Sequence, residues 1–237
     1  MSEGGSFGEA IPSNQKIASL SAHFLSFVRN DANAVCLLLF SLLLNVDKAS
    51  LRKLYLEKRS RFTPSELEEA YGKIASYFKE IPLKGVKYIH TFYPIVGKFE
   101  VDSLKIADWL RKNHPEIKLV LSKTNYSNCS LTHYLWEEDT PLAMNSRGIT
   151  EPENGETVSP ELLDIVLVPL LVVDKQGNRV GYGKGFYDRF LVQCRPDVQK
   201  IGLSYFEPVD NISDVNEYDI PLDACITPEK IWRFKSA

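Results

Sequence analysis

The segment Asp164-Ile-Val-Leu-Val-Pro-Leu-Leu-Val-Val-Asp174 limits what this chain can fold into more than any other stretch. Every residue between the two aspartates is apolar, so no face of the segment is written for water. Such a run reads as a strand covered on both sides, which is the position of a central strand in a parallel sheet flanked by helices. Lys175 to Asn178 then suits a tight turn. Beyond it Gly181, Gly183 and Gly185 stand at alternating positions with Lys184 among them, and a helix is predicted from Phe186 to Cys194. A glycine-rich loop opening a helix turns backbone N–H groups toward an anion, and Lys184 and Arg179 add positive charge.

The general phosphate motifs do not match this loop. A Walker A loop needs Ser or Thr after its lysine, and Gly185 stands there; the dinucleotide fingerprint needs glycine at 186, which is Phe. Spacing alone therefore leaves two readings, a phosphate cradle and a tight turn with one solvated charge.

The rest of the chain repeats the alternation of helix and strand. Residues 48 to 61 read as a helix with Lys48, Arg52, Tyr55 and Arg59 on one side and Leu51 and Leu54 on another. Thr63-Pro64-Ser65-Glu66 is a helix start with a capping box, followed by Leu67, Ala70, Tyr71, Ile74, Phe78 and Ile81 at core spacing. Strands are predicted at 86–93, 118–122 and 131–136, with a helix capped by Asp102 or Ser103 between the first two. Residues 140 to 160 read as a long loop. The pattern predicts an α/β fold, a three-layer Rossmann-like domain with a largely parallel central sheet flanked by helices.

Charge and sulfur usage exclude several function classes. Lys plus Arg is 28 against 31 for Asp plus Glu, a net charge of −3, so a duplex-binding surface and a nucleic-acid partner are not expected. The 4 cysteines form no CxxC and the 4 histidines no HExxH, which argues against zinc and for reduced thiols in a cytoplasm. The longest apolar run, Ala34 to Val46, is shorter than the roughly 20 residues of a membrane helix, so no membrane partner is expected. Residues 1–46 lack the regular pattern of 47–237. They read as a buried helix with its lead-in or as a mis-assigned upstream extension, with a natural start near Val46.

Taken as one string, residues 164–188 resemble the 5-formyltetrahydrofolate cyclo-ligase family, with Leu170 where the family usually has glycine. Lys48-Ala-Ser-Leu-Arg52, Glu100-Val-Asp-Ser103 and Val215 to Asp223 are similar to its other segments, in the same order. The resemblance implies ATP-dependent, Mg²⁺-requiring closure of 5-formyltetrahydrofolate to 5,10-methenyltetrahydrofolate, by phosphorylation of the formyl oxygen, with release of ADP and phosphate. That chemistry needs phosphate clamps and orientation more than a protein nucleophile.

Carried over by position, the resemblance implies nucleotide contacts at Lys48, Arg52, Arg179, Val180, Gly181, Tyr182, Gly183, Lys184, Gly185, Phe186 and Tyr187. Glu100 and the stretch Tyr182 to Phe186 are expected to face the folate, with or without a polyglutamate tail. Asp188 and Asp219 are the implied Mg²⁺ carboxylates and Lys184 the catalytic cation. An aromatic expected near position 147 is Arg147 here. A monomer is expected. The competing reading is a phosphorylated-metabolite enzyme or sensor on a similar fold, of the sugar-phosphate isomerase or coenzyme A transferase type.

Overall fold

A computed structural model describes residues 46–234, and the apolar run after Asp164 supplies the central strand of its main sheet. The expectation for residues 1–45 lies outside the described residues. In chain order the elements are α1 (Lys48–Ser60), α2 (Pro64–Phe78), β1 (Tyr88–His90), α3 (Ser103–Asn113), β2 (Lys118–Asn125), β3 (Ser130–Leu135), β4 (Leu142–Met144) and β5 (Thr150–Pro152). A 3-10 turn at Pro160–Leu162 leads into β6 (Ile165–Pro169), β7 (Val172–Val173), β8 (Arg179–Val180), α4 (Phe186–Leu191), β9 (Gln199–Leu203), β10 (Ala224–Ile226) and β11 (Ile231–Arg233).

The seven-stranded sheet has the order β11-β10-β9-β6-β1-β2-β3. Its five inner strands are parallel and both edges are antiparallel. The period of two along each strand divides the core. Ile165 and Leu167 face the side packed by Leu67, Ile74 and Phe78 of α2 and Ile106 and Leu110 of α3. Val166 and Val168 face the opposite side with Phe190 and Leu191 of α4. Covering both faces is what an uninterrupted apolar strand requires.

Helix starts follow their local chemistry. Thr63 accepts from the Glu66 N–H while Glu66 returns a carboxylate to the Thr63 N–H at 2.7 Å, the expected capping box. Asp102 rather than Ser103 caps α3.

Several boundaries differ from the sequence expectations. The central run is broken: β6 stops at Pro169, and Val172–Val173 turn away to pair with Arg179–Val180 in a separate ribbon. Proline has no N–H to continue a ladder, which suits a strand's last residue. Buried Asp174 closes the ribbon's turn, accepting from the Gln176 and Asn178 N–H groups at 2.9 Å each. Strand β1 is three residues long rather than eight, and α4 ends at Leu191 rather than Cys194. The loop over 140–160 holds the hairpin β4–β5, and Leu54 is 43% exposed while Leu51, Tyr55 and Arg59 face inward.

Leu170 fits because Gly202 makes room for it. A Cβ placed on Gly202 would lie 2.5 Å from Leu170 Cδ2 and 2.7 Å from Leu222 Cδ1. The bulk missing from one strand is supplied by the residue just past its neighbour.

Connectivity locates the functional edge. From β1 the chain proceeds through α3 to β2 on one side, and from β6 through α4 to β9 on the other. Neighbouring strands β1 and β6 thus form a switch point, and ligands of open α/β sheets bind beyond the carboxyl ends of such strands. The segment leading to Glu100 follows β1, and the glycine loop follows β6 and its ribbon.

Candidate active site

Helix α1 packs on the β7–β8 ribbon through Leu51 and Tyr55 against Leu171, Val172 and Val180. That packing brings two of its basic residues to the glycine loop. Arg52 Nε donates to the Gly181 carbonyl at 2.9 Å. At Gly183, where φ is +84°, a Cβ would stand 3.1 Å from the Arg52 guanidinium, so only glycine allows this approach without strain. From the far side Arg189 Nη1 donates to the carbonyls of Lys184 and Gly185 at 3.0 and 3.1 Å. Two arginines therefore hold the loop carbonyls. The Lys184 side chain between them is exposed, and its ammonium has no protein partner among the described residues.

Arg179 binds one of the two implied metal carboxylates and lies within the field of the other. Its Nη2 donates to Asp188 Oδ1 at 2.7 Å, and its Nη1 donates to the Ile220 carbonyl. Asp188 Oδ1 also accepts from the Ile220 N–H at 3.3 Å, next to Asp219 in the chain. Asp219 Oδ2 accepts from the Asn216 N–H at 2.7 Å and is ion-paired with Lys48. Burial lowers the Arg179 pKa while Asp188 and Asp219 work against that shift, so the guanidinium feels both acids. Among the described residues there is no group of three or more metal-ligating side chains. Two carboxylates, each with one oxygen free of hydrogen bonds among the described residues, suit a Mg²⁺ ion whose remaining ligands are phosphate oxygens and water.

Glu100 lies across the loop and is only 5% exposed. Its Oε2 accepts from the Ile95 N–H at 2.7 Å, and its carbonyl accepts from the Tyr205 and Tyr71 hydroxyls at 2.8 and 3.2 Å. Burial raises its pKa, while the Ile95 N–H, the Arg59 charge and the Tyr182 hydroxyl oppose the rise. Tyr182 from the glycine loop thus reaches the acid expected to face the folate, and its own pKa is raised by burial and by Glu100.

The remaining expected residues divide between surface and core. Phe186 meets Tyr126 edge to face at 5.6 Å between centroids, and the Arg147 guanidinium stacks on that Tyr126 ring at 3.6 Å. Tyr126 thus supplies an aromatic face beside Arg147, with its hydroxyl buried and unpaired. Val180 is fully buried among Leu51 and Tyr55, so only its backbone can serve a nucleotide. Tyr187 packs beside Phe190 and His90, and burial pushes its hydroxyl pKa upward.

Two arginines and a histidine pair carried no functional reading in the sequence. Arg59 was legible only as part of a basic stripe, and it is 1% exposed. Arg189 was hidden within the helix prediction. His90 and His133 come together through Ser122, with Nε2 to Oγ at 2.7 Å and Oγ to Nδ1 at 2.8 Å, beneath Phe190 of α4. No spacing rule links positions 90, 122 and 133; the pairing of β1, β2 and β3 does.

The chain is similar to known proteins over most of its length. The profile of the 5-formyltetrahydrofolate cyclo-ligase family matches residues 45–228. The 5-formyltetrahydrofolate cyclo-ligase of Escherichia coli strain K12 is 30% identical over 185 residues, covering 75% of this chain and 98% of the relative. The Mycoplasma pneumoniae protein of that name is 30% identical over 190 residues, 78% of this chain and all of the relative. In structure, the 5,10-methenyltetrahydrofolate synthetase of Aquifex aeolicus superposes with a TM-score of 0.68 at 31% identity, over 80% of this chain and 94% of its own.

Proposed function

The chain belongs to the 5-formyltetrahydrofolate cyclo-ligase family, and we propose that the edge formed by α1, the glycine loop and Glu100 is where it joins ATP cleavage to closure of the folate ring. The observation that carries this reading is the doubly held loop. Arg52 and Arg189 occupy its carbonyls, and Lys184 stands exposed between them.

The reaction fits that arrangement. An amide oxygen is a poor leaving group, so the formyl oxygen first attacks the terminal phosphorus of ATP, and the bond to ADP breaks. The second folate nitrogen then attacks the activated carbon, its proton passes to the departing phosphate, and the carbon–oxygen bond breaks. Lys184 draws in the transferring phosphoryl, where a fixed cation strengthens as charge develops in the transition state. Lys48, Arg52 and Arg179 balance the other phosphates, and Tyr182 to Phe186 orient the folate. Glu100 accepts hydrogen bonds from the pterin ring.

Asp188 and Asp219 would hold Mg²⁺, which supplies charge neutralisation on the phosphate chain. The Lys48–Asp219 pair has to open for both to act, leaving Lys48 for phosphate and Asp219 for metal. All of these groups come from one chain, so the reading takes a monomer as the active unit. It is expected to act in the cytoplasm on folates with or without polyglutamate tails. Among the described residues no helix is long and apolar enough to cross a membrane.

Calorimetry of ATP binding tests the assignment. Arg52→Ala and Lys184→Ala should each weaken or uncouple ATP use, and Lys184→Ala should do so at the melting temperature of the parent. Unchanged binding and turnover in both would return the loop to a structural turn.

A further inference from the structure

Arg59 is a charged side chain buried to 1% exposure on a helix whose other basic residues reach the nucleotide loop. A buried guanidinium is costly unless its donors are matched. One nitrogen, Nη2, donates to the Leu170 carbonyl at the end of the central strand. The other, Nη1, lies 3.4 Å from the Tyr182 hydroxyl, and Nε has no partner among the described residues. The Tyr182 hydroxyl and the Arg59 charge both act on the buried Glu100 carboxylate, and the guanidinium lies 5.8 Å from the centre of the Tyr205 ring, whose hydroxyl binds the Glu100 carbonyl. A buried cation, a phenol and a buried acid thus form one row across α1, the glycine loop and the segment after β1.

We propose that Arg59 is a positioning residue for the folate site: it holds the Tyr182 hydroxyl toward Glu100 and supplies the countercharge that keeps Glu100 an acceptor for the pterin N–H groups. This rests on the reading of Glu100 as a folate contact.

The charged and titratable groups around Glu100 are few. Arg59 approaches from α1, Tyr182 from the glycine loop, Tyr187 from α4 and Lys98 from Glu100's own segment, while Tyr71 of α2 and Tyr205 past β9 bind its carbonyl. Burial lifts the Glu100 pKa and Arg59 restrains it. Removing the guanidinium must therefore raise the pH below which Glu100 gains a proton and stops accepting.

The test is the KM for 5-formyltetrahydrofolate and for ATP, measured from neutral pH downward, the direction in which a carboxylate gains its proton. Each variant is expressed as a ratio to the parent enzyme, so titration of the folate itself cancels. In Arg59→Met the folate ratio should climb toward acid by up to about tenfold for each unit of pKa rise, with the ATP ratio flat. Arg59→Lys, which keeps the charge, should restore most of the parental profile. Tyr182→Phe leaves Arg59 in place and should shift the acid limb in the same direction by less; it carries the test alone if Arg59→Met does not fold.

Glu100→Gln separates two kinds of failure. If it raises the folate KM and removes the acid limb, while Arg59→Met or Tyr182→Phe merely parallels the parent at every pH, the positioning role is wrong and the site reading stands. An unchanged folate KM in Glu100→Gln overturns the site reading, and the positioning role with it.

Discussion

Arg52 Nε and the Gly181 carbonyl are 2.9 Å apart although 129 positions separate them in the chain. This contact ties the first described helix to the loop that follows the central strand. It makes the loop's shape a tertiary property, since the glycines alone would leave many conformations open.

Lys184→Ala should lower kcat by about 100-fold or more, the usual loss when one electrostatic donor to a developing charge is removed. Its side chain is exposed and has no partner among the described residues, so chemical unfolding should give the parental midpoint. A large kcat loss accompanied by an equal stability loss would point to a structural lysine.

Asp188→Asn and Asp219→Asn should both raise the Mg²⁺ concentration needed for half-maximal turnover. Their stability costs should differ. Asp188 neutralises a guanidinium with only 7% exposure, so breaking that pair should cost on the order of 3 kcal/mol. Asp219 pairs with the less buried Lys48, and its loss should cost less. Mg²⁺ titrations that superpose on the parent for both variants would remove the carboxylates from the metal site.

Gly202→Ala should destabilise the protein by about 1–3 kcal/mol, because the added methyl meets Leu170 and Leu222 in a packed core. Combining it with Leu170→Ala should recover part of that loss, a coupling readable by a double-mutant cycle in urea. Strict additivity would mean that the two sites do not share the space.

Stability should fall as pH drops from about 6.5 toward about 4. Burial lowers the His133 pKa to about 4 and takes that of His90 well below its usual value. In this window the unfolded chain binds protons that the folded chain refuses, so unfolding free energy rises with pH, by up to about 1.4 kcal/mol per unit for each histidine. Replacing His133 with Phe should flatten the slope in urea-unfolding curves taken across the window. An unchanged slope would place the acid sensitivity elsewhere.

The sheet and its layers were legible because they rest on period and composition. Two-sided burial of Ile165 to Pro169, the capping box at Thr63 and the core spacing of α2 are all local signals. The break after Pro169 was less so, since Leu170 to Val173 are as apolar as the strand before them and only tertiary packing diverts them into the ribbon. The expected site residues rested on resemblance to whole strings, and the fold brings Lys48, Arg52, Arg179, Asp188 and Asp219 to one edge. Arg59 was illegible for a physical reason: a basic residue on a helix face is usually solvated, and this one is buried against the Leu170 carbonyl and the Tyr182 hydroxyl, both remote in the chain. The His90–Ser122–His133 row was hidden likewise, because strand pairing aligns residues that no spacing connects.

The central claim is that this edge joins phosphoryl transfer to folate ring closure, and the most direct measurement is ADP release with and without 5-formyltetrahydrofolate, followed alongside formation of the methenyl product. The account predicts one ADP and one phosphate per methenyl group formed, and no ADP release without the folate. ADP release independent of the folate, or ring closure without ATP, would contradict it.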